Sequence, residues 1–180
     1  MSPRVEVLGA DEFARHVKVA AHIYGAAMQR SAEMVVQRCE IMHSHLTRRG
    51  FLAVIVPAED DNEAGAEPVA FGYGYLGRRG EWWHDIVVDA LGPELSERWM
   101  AEAFELAELH VLPEHQGHGL GRRILDEVIR NARGRTMVLS THDLESPARR
   151  LYRSVGFVDL LGGFVFPGSR EVYAVMGKDL

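Results

Sequence analysis

The segment Leu109 to Ile129, LHVLPEHQGHGLGRRILDEVI, constrains the fold more than any other stretch of the chain. Apolar residues alternating as in a strand lead into a short polar loop with glycines at Gly117, Gly119 and Gly121. The chain then continues with Leu120, Ile124, Leu125, Val128 and Ile129 at helical spacing. The first turn of a helix has unpaired N–H donors and about half a unit of positive charge. Glycines there remove the Cβ atoms that would obstruct a pyrophosphate. The pattern predicts a strand–loop–helix unit that presents amides to a phosphate, followed by a strand at Thr136 to Leu139. A tight turn with no ligand uses the same glycines, so the surrounding sequence must decide. No Gly-Lys-Ser/Thr follows, and the G-x-G-x-G spacing is not the G-x-G-x-x-G of dinucleotide folds, which argues against nucleotide hydrolysis and hydride transfer.

Upstream, Val5 to Leu8 reads as a first strand. Asp11 is placed to cap a helix carrying Phe13, Val17, Ala21 and Tyr24 as far as Gly25, and Ser31 to cap a second carrying Val35, Cys39, Met42 and Leu46, stopped by Gly50. Phe51 to Val56 and Ala70 to Leu76 are strands. The latter puts Phe71, Tyr73 and Tyr75 on one face and Gly72 and Gly74 on the other, where a neighbour can approach closely. Between them Ala58 to Pro68 reads as an acidic surface hairpin loop. Gly80 to Ala101 is a helical insertion broken at Gly92-Pro93. In FELAELHVL, Phe104 and Leu106 share one strand phase and Leu109 and Val111 the other, a slip that predicts a β-bulge near Ala107–Leu109. Ser146 as N-cap, Pro147 at the first helical position and Gly156 past the end frame a last helix. Phe157 to Phe166 and Glu171 to Met176 then form two strands about Pro167-Gly168.

Length and charge narrow the function. At 180 residues a single domain over 1–180 is expected, and 26 acidic against 20 basic residues, a net charge of −6, oppose nucleic acid as a partner. Phe51 to Val56 is the longest apolar run, too short for a membrane span, and charges at Arg4, Glu6, Asp11, Glu12 and Arg15 interrupt any signal sequence. One cysteine, Cys39, allows no internal disulfide, which fits a cytoplasmic protein.

Gln116-Gly117-His118-Gly119-Leu120-Gly121 fits the signature Q/R-x-x-G-x-G/A, and SPARRLYRSVGF from Ser146 to Phe157 supplies an alanine, a Leu-Tyr pair and Gly-Phe in the order of a second signature. Together they resemble the GNAT acyltransferase superfamily, most closely over Phe104 to Phe166. The resemblance implies an α+β (mixed α/β) fold. Its central mixed, mostly antiparallel sheet has six to seven strands with a V-shaped splay between the fourth and fifth, flanked by about four helices plus the helical insertion.

The resemblance also implies acetyl-CoA as co-substrate, with no metal, and N-acetyl transfer to a primary amine of a small molecule or peptide by direct attack in a ternary complex. Amides from Gly117 through Arg122 hold the pyrophosphate, with Gln116 opening the loop. The backbone of Leu109, His110 and Val111 pairs with pantetheine like an added strand, and the Val111 N–H faces the developing oxyanion. Tyr152 is the expected general acid toward the thiolate, and Glu105 or Glu108, directly or through water, the base. Many relatives carry Asn where this chain has Glu145, and Ser146 stands in for that cofactor contact.

Bland readings stand beside these. Tyr152 fits core packing, the two glutamates fit exposed strand positions, and Arg122-Arg123 and Arg149-Arg150 read as solvated helix faces, with Arg122 in reach of a CoA phosphate. His110, His115 and His118 form no convincing metal set. Trp82-Trp83 with His84 fit an acceptor wall, the interface of a homodimer or the packing of the inserted helix. A non-catalytic acyl-CoA-binding regulatory module of the same fold is the alternative function.

Overall fold

Cross-strand register explains how the first half of the chain buries its apolar residues. In the computed structural model, which describes residues 4–58 and 66–180, strands β2 (Leu52–Pro57) and β3 (Pro68–Leu76) pair antiparallel with Ala53 opposite Tyr73 and Ile55 opposite Phe71. Directly opposed residues share a face. These four pack in one core with Phe13, whose ring lies 5.5 Å from Tyr73 and 5.7 Å from Phe51. Residues 59–65 of the expected acidic hairpin loop lie outside the described residues.

The remaining strands are β1 (Glu6–Leu8), β4 (Ala103–Val111), β5 (Thr136–His142), β6 (Val158–Phe164) and β7 (Tyr173–Asp179). The sheet runs in the order β1-β2-β3-β4-β5-β7-β6, with β4 and β5 the parallel pair. That pairing covers only Ala103–Glu105 against Thr136–Val138, whereas β5 pairs with β7 along its whole length to His142. The mixed, mostly antiparallel sheet of seven strands matches the expected class, and the pairing stops where the splay was expected.

Two compact units divide the chain. The first takes residues up to Tyr75 with Ala107–Ala132, and the second Leu76–Leu106 with Arg133–Leu180. In the first unit, helix α1 (Ala10–Phe13), a 3₁₀ turn and α2 (Val17–Met28) cover the Phe71–Tyr73 face with α3 (Ala32–His45), while α5 (Leu120–Asn131) covers the other. The cap of α1 is Gly9, whose amide donates to Glu12 Oε2 at 3.0 Å, so Asp11 sits inside the first turn. Gly25 does not end its helix. It is buried within α2, where the Val35 side chain of α3 occupies the space a Cβ would need, and Gln29 in the left-handed region ends the helix. Ser31 caps α3 as expected, accepting from Met34 N at 3.4 Å.

In the second unit, α4 (Trp82–Met100) is the expected insertion. Gly92 at φ +75° kinks it just before Pro93, and Val87, Leu91 and Met100 pack with Ala103, Val138 and Val175. Helix α6 (Pro147–Ser154) begins at Ser146, whose hydroxyl accepts from Arg149 N at 3.1 Å. It ends with Gly156 N donating to Arg153 O and Phe157 N to Tyr152 O, a Schellman closure that uses Gly156 at φ +95°. Among the described residues no helix is long and apolar enough to cross a membrane.

Strand β4 breaks its own alternation. Ala107 packs into the core with Phe71 and Tyr73, and its neighbour Glu108 turns to the same side to meet Arg38 of α3. Two consecutive residues on one face are the mark of a bulge, within the predicted Ala107–Leu109 window. Leu109 consequently points the other way, where it and Ile124 of α5 close over Gly72. A Cβ on Gly72 would lie 2.7 Å from Ile124 Cγ2 and 3.2 Å from Glu108 O. Gly72→Ala therefore overpacks this layer and is expected to cost about 1–3 kcal/mol in urea unfolding; unchanged stability would show that α5 can retreat freely from the sheet.

Candidate active site

Between β4 and α5 the chain makes a 3₁₀ turn at Pro113–His115 and then the glycine loop. Gly117 (φ +77°) and Gly119 (φ +80°) both occupy the left-handed region, and a Cβ on either would meet nothing within 4 Å. These glycines therefore serve the backbone conformation and leave the ground above the loop open. Gln116 Nε2 donates to Val111 O at 3.0 Å, tying the loop back to the end of the strand, and His118 Nδ1 lies 3.3 Å from His115 O. Gly119 is the N-cap of α5 and has no side chain to offer, so the first-turn amides of Leu120, Gly121 and Arg122 have no partner four residues back. The Arg122 side chain is engaged by Asp126 at 2.9 Å. This cradle fits a phosphate group.

Behind the loop, the end of β4 carries a buried polar chain. Glu108 Oε1 accepts from Arg38 Nη1 at 2.9 Å, and Oε2 lies 2.6 Å from His110 Nε2. Burial pushes the Glu108 carboxyl up, but the hydrogen bond and charge of His110, together with Arg38, outweigh it and hold the group below the ordinary carboxylate value. An ionised carboxylate only accepts, so His110 Nε2 carries the proton. Arg38 lies over the Tyr24 ring at 4.6 Å, and the His110 ring meets Tyr24 edge-on at 5.4 Å and Phe71 at 5.7 Å.

His45, at the end of α3, joins this group from the other side, with Nδ1 3.0 Å from the Tyr73 hydroxyl and Nε2 3.5 Å from that of Tyr75. Burial first, and then the nearby Arg48, push its pKa down to about 4, against an opposing pull from Glu108. Burial and the Glu108 charge push the Tyr73 phenol well above its ordinary value, so it stays a neutral donor.

The second unit holds the other expected site residues. Glu105 is 3% exposed and not a surface carboxylate. Its Oε1 lies 2.8 Å from Nδ1 of the buried His84, and Gly77 packs so close that a Cβ there would be 2.7 Å from that nitrogen. Trp83 Nε1 donates to Ser140 Oγ at 3.1 Å, while Trp82 is exposed beside Phe166. Tyr152 is buried on α6 with its ring 5.7 Å from Phe157. Glu145 is paired by Arg153 at 2.9 Å and Arg150 at 3.7 Å. Arg149 is not a solvated face residue. It is 8% exposed, clasped by Asp143 and, at 3.0 Å, by Asp159. Among the described residues no group of three metal-ligating side chains is arranged to hold an ion.

Sequence reading placed Glu108 and His110 on their strand but missed Tyr24, Arg38 and His45. Arg38 had a usable signal: its cationic head interrupts α3 three residues after Val35, on a helix whose stripe faces the core.

A family model described as "Acetyltransferase (GNAT) domain" matches residues 53–159. The chain is 32% identical over 197 aligned positions, 96% of both proteins, to the GCN5-like protein acetyltransferase Rv2170 of Mycobacterium tuberculosis. Among solved structures it resembles Arabidopsis thaliana NAA60 in complex with acetyl-CoA, at 13% identity, TM-score 0.64 and 99% of both chains. It also resembles a phosphinothricin acetyltransferase of Sinorhizobium meliloti in complex with AcCoA, at 18% identity, TM-score 0.61, and 100% and 89% of the chains. These two share its fold.

The depressed value of His45 makes a stability prediction. Folding favours its neutral form, so the unfolded chain takes up the proton first as pH falls. Stability is full above about pH 6.5 and declines toward pH 4. Urea unfolding should lose about 2–3 kcal/mol across that window through this residue. His45→Gln should flatten that slope, and an unaltered slope would remove His45 as its source.

Proposed function

The chain belongs to the GNAT acetyltransferase family, and from that premise we propose that it moves an acetyl group from acetyl-CoA to a primary amine by direct attack in a ternary complex. The observation that carries this reading is the open cradle of left-handed Gly117 and Gly119 at the start of α5, inside the residues matched by the family model. Acetyl-CoA supplies an activated thioester. Amides from Gly117 through Arg122 bind its pyrophosphate, and the Leu109–Val111 backbone, beyond the last residue of β4 paired to β5, takes the pantetheine amides.

An amine with a pKa near 10.4, that of a lysine side chain, is mostly protonated at neutral pH and must lose a proton before it can attack. Of the two β4 carboxylates we assign this demand to Glu108 and its partners. Glu105 and His84 have side chains only 4% and 6% exposed beneath Gly77, whereas the His110 side chain beside Glu108 is 14% exposed. The Val111 N–H is the donor toward the developing oxyanion, and Tyr152 protonates the departing thiolate. Ser146, its hydroxyl already accepting from Arg149 N, keeps its O–H free to donate toward the cofactor. A single cysteine, which allows no internal disulfide, supports a cytoplasmic placement. The Mycobacterium relative is a protein acetyltransferase by name, which puts peptide amines beside small amines among the acceptors to try.

Calorimetric titration with acetyl-CoA, beside CoA and ATP, followed by thiol release over a panel of small amines, amino-acid amides and peptides with free amines tests the reading. We expect acetyl-CoA binding and amine-dependent release. Binding without release on the panel favours the regulatory module, and no binding overturns the family role in this chain. Gly119→Glu should abolish binding through bulk and negative charge in the open cradle, with Gly119→Ala as the control for backbone strain alone; undiminished affinity in the glutamate variant would dismiss the phosphate cradle. Tyr152→Phe should lower turnover about 100- to 10,000-fold at nearly unchanged acetyl-CoA affinity. Equal turnover would take the phenol out of the reaction.

A further inference from the structure

Both oxygens of Glu108 are occupied, Oε1 by Arg38 and Oε2 by His110, and these two hydrogen-bond donors hold the carboxyl below its ordinary value in spite of burial. A carboxylate fixed in this way is a poor proton acceptor. His110 has the complementary property. With its Nε2 proton directed at Glu108, Nδ1 keeps a lone pair, and among the described residues no hydrogen-bond partner reaches that nitrogen. The ring is held in this setting by the edge contact with Tyr24 and by Phe71.

We propose that Nδ1 of His110 is the proton acceptor for the amine substrate, with Glu108 and Arg38 as positioning residues that hold the imidazole in its Nε2–H tautomer. This rests on the transferase reading above. The proton balance is simple. One proton of the substrate ammonium passes to Nδ1 and on to solvent, freeing the nitrogen lone pair. The new N–C bond forms as the C–S bond breaks, and the second proton lost from nitrogen replaces the one Tyr152 gives to the thiolate. The Glu108 carboxylate stabilises the imidazolium during the interval, as the Asp of a catalytic triad does for its histidine.

The charged and titratable groups around His110 are Glu108 on its own strand, Tyr24 from α2 and Arg38 from α3, with Tyr73 of β3 and His45 of α3 acting through Glu108. The reactive form has a neutral imidazole, so kcat/KM falls on the acid side. Removing the Glu108 charge deprives the imidazolium of its counter-ion and moves that acidic limb to lower pH.

The test uses the full chain and whichever panel amine supports thiol release. His110→Gln should reduce kcat about 100- to 10,000-fold while acetyl-CoA affinity and Tm are kept. Glu108→Gln should retain measurable turnover with its acidic limb displaced downward, a shift that a merely structural role would not produce. Nitrogen-15 NMR of the wild-type imidazole, at the pH of maximal turnover, should show the Nε2–H tautomer independently of any variant. Turnover kept in His110→Gln but lost in Glu108→Gln would return the base to the carboxylate, and an Nδ1–H tautomer would also overturn the assignment. Failure of the whole amine panel would instead overturn the transferase reading, and this assignment with it.

Discussion

The arrangement of the first unit depends on one irregularity, the two neighbouring residues of β4 that face the same way. A regular strand that buried Ala107 against Phe71 and Tyr73 would send Glu108 to the opposite side, among Ile124 and the apolar stripe of α5. There a carboxylate would have no cation and would carry the full penalty of burial. The bulge sends it instead to Arg38, brings His110 in behind it, and delivers Leu109 to the layer under α5. Strand, glycine loop and helix are thus set by where one extra residue is accommodated.

What surrounds Glu108 illustrates how burial and pairing compete. Desolvation alone would neutralise the carboxyl, and it is the largest single influence on it. Two donors on separate oxygens outweigh it together, and the Glu108 charge in turn acts in one sense on its neighbours: it adds to the rise of the Tyr73 phenol and opposes the fall of His45. The polar interior is therefore one coupled system spread over α2, α3, β3 and β4, and its members cannot be assigned properties one at a time.

Much of this was legible in the sequence because it was local. Ser31 and Ser146 cap their helices, Gly156 closes α6, and Gly92-Pro93 kinks α4, since each signal acts within a turn or two of itself. The bulge was legible as a slip in alternation. Gly25 misled because a glycine that admits a neighbouring helix and one that ends its own helix look alike in a sequence, and only Val35 of α3 distinguishes them. Arg149 misled for a similar reason. Among arginines on a short polar helix nothing local marks the one that Asp143 and Asp159 draw inward. Arg38 lies 70 residues from Glu108, a distance over which no periodicity carries information.

That clasp has a bearing on how the chain can be re-engineered. Helix α6 has eight residues, too few to persist in water unaided. Its ends are closed by Ser146 and Gly156, and its flank is fastened through Arg149 and Arg153 to Asp143 before it and Asp159 after it. A designer transplanting the Leu-Tyr helix into another scaffold must therefore move residues 143–159 as one cassette. A shorter graft would carry the sequence signature and leave behind the acidic posts that hold it in shape.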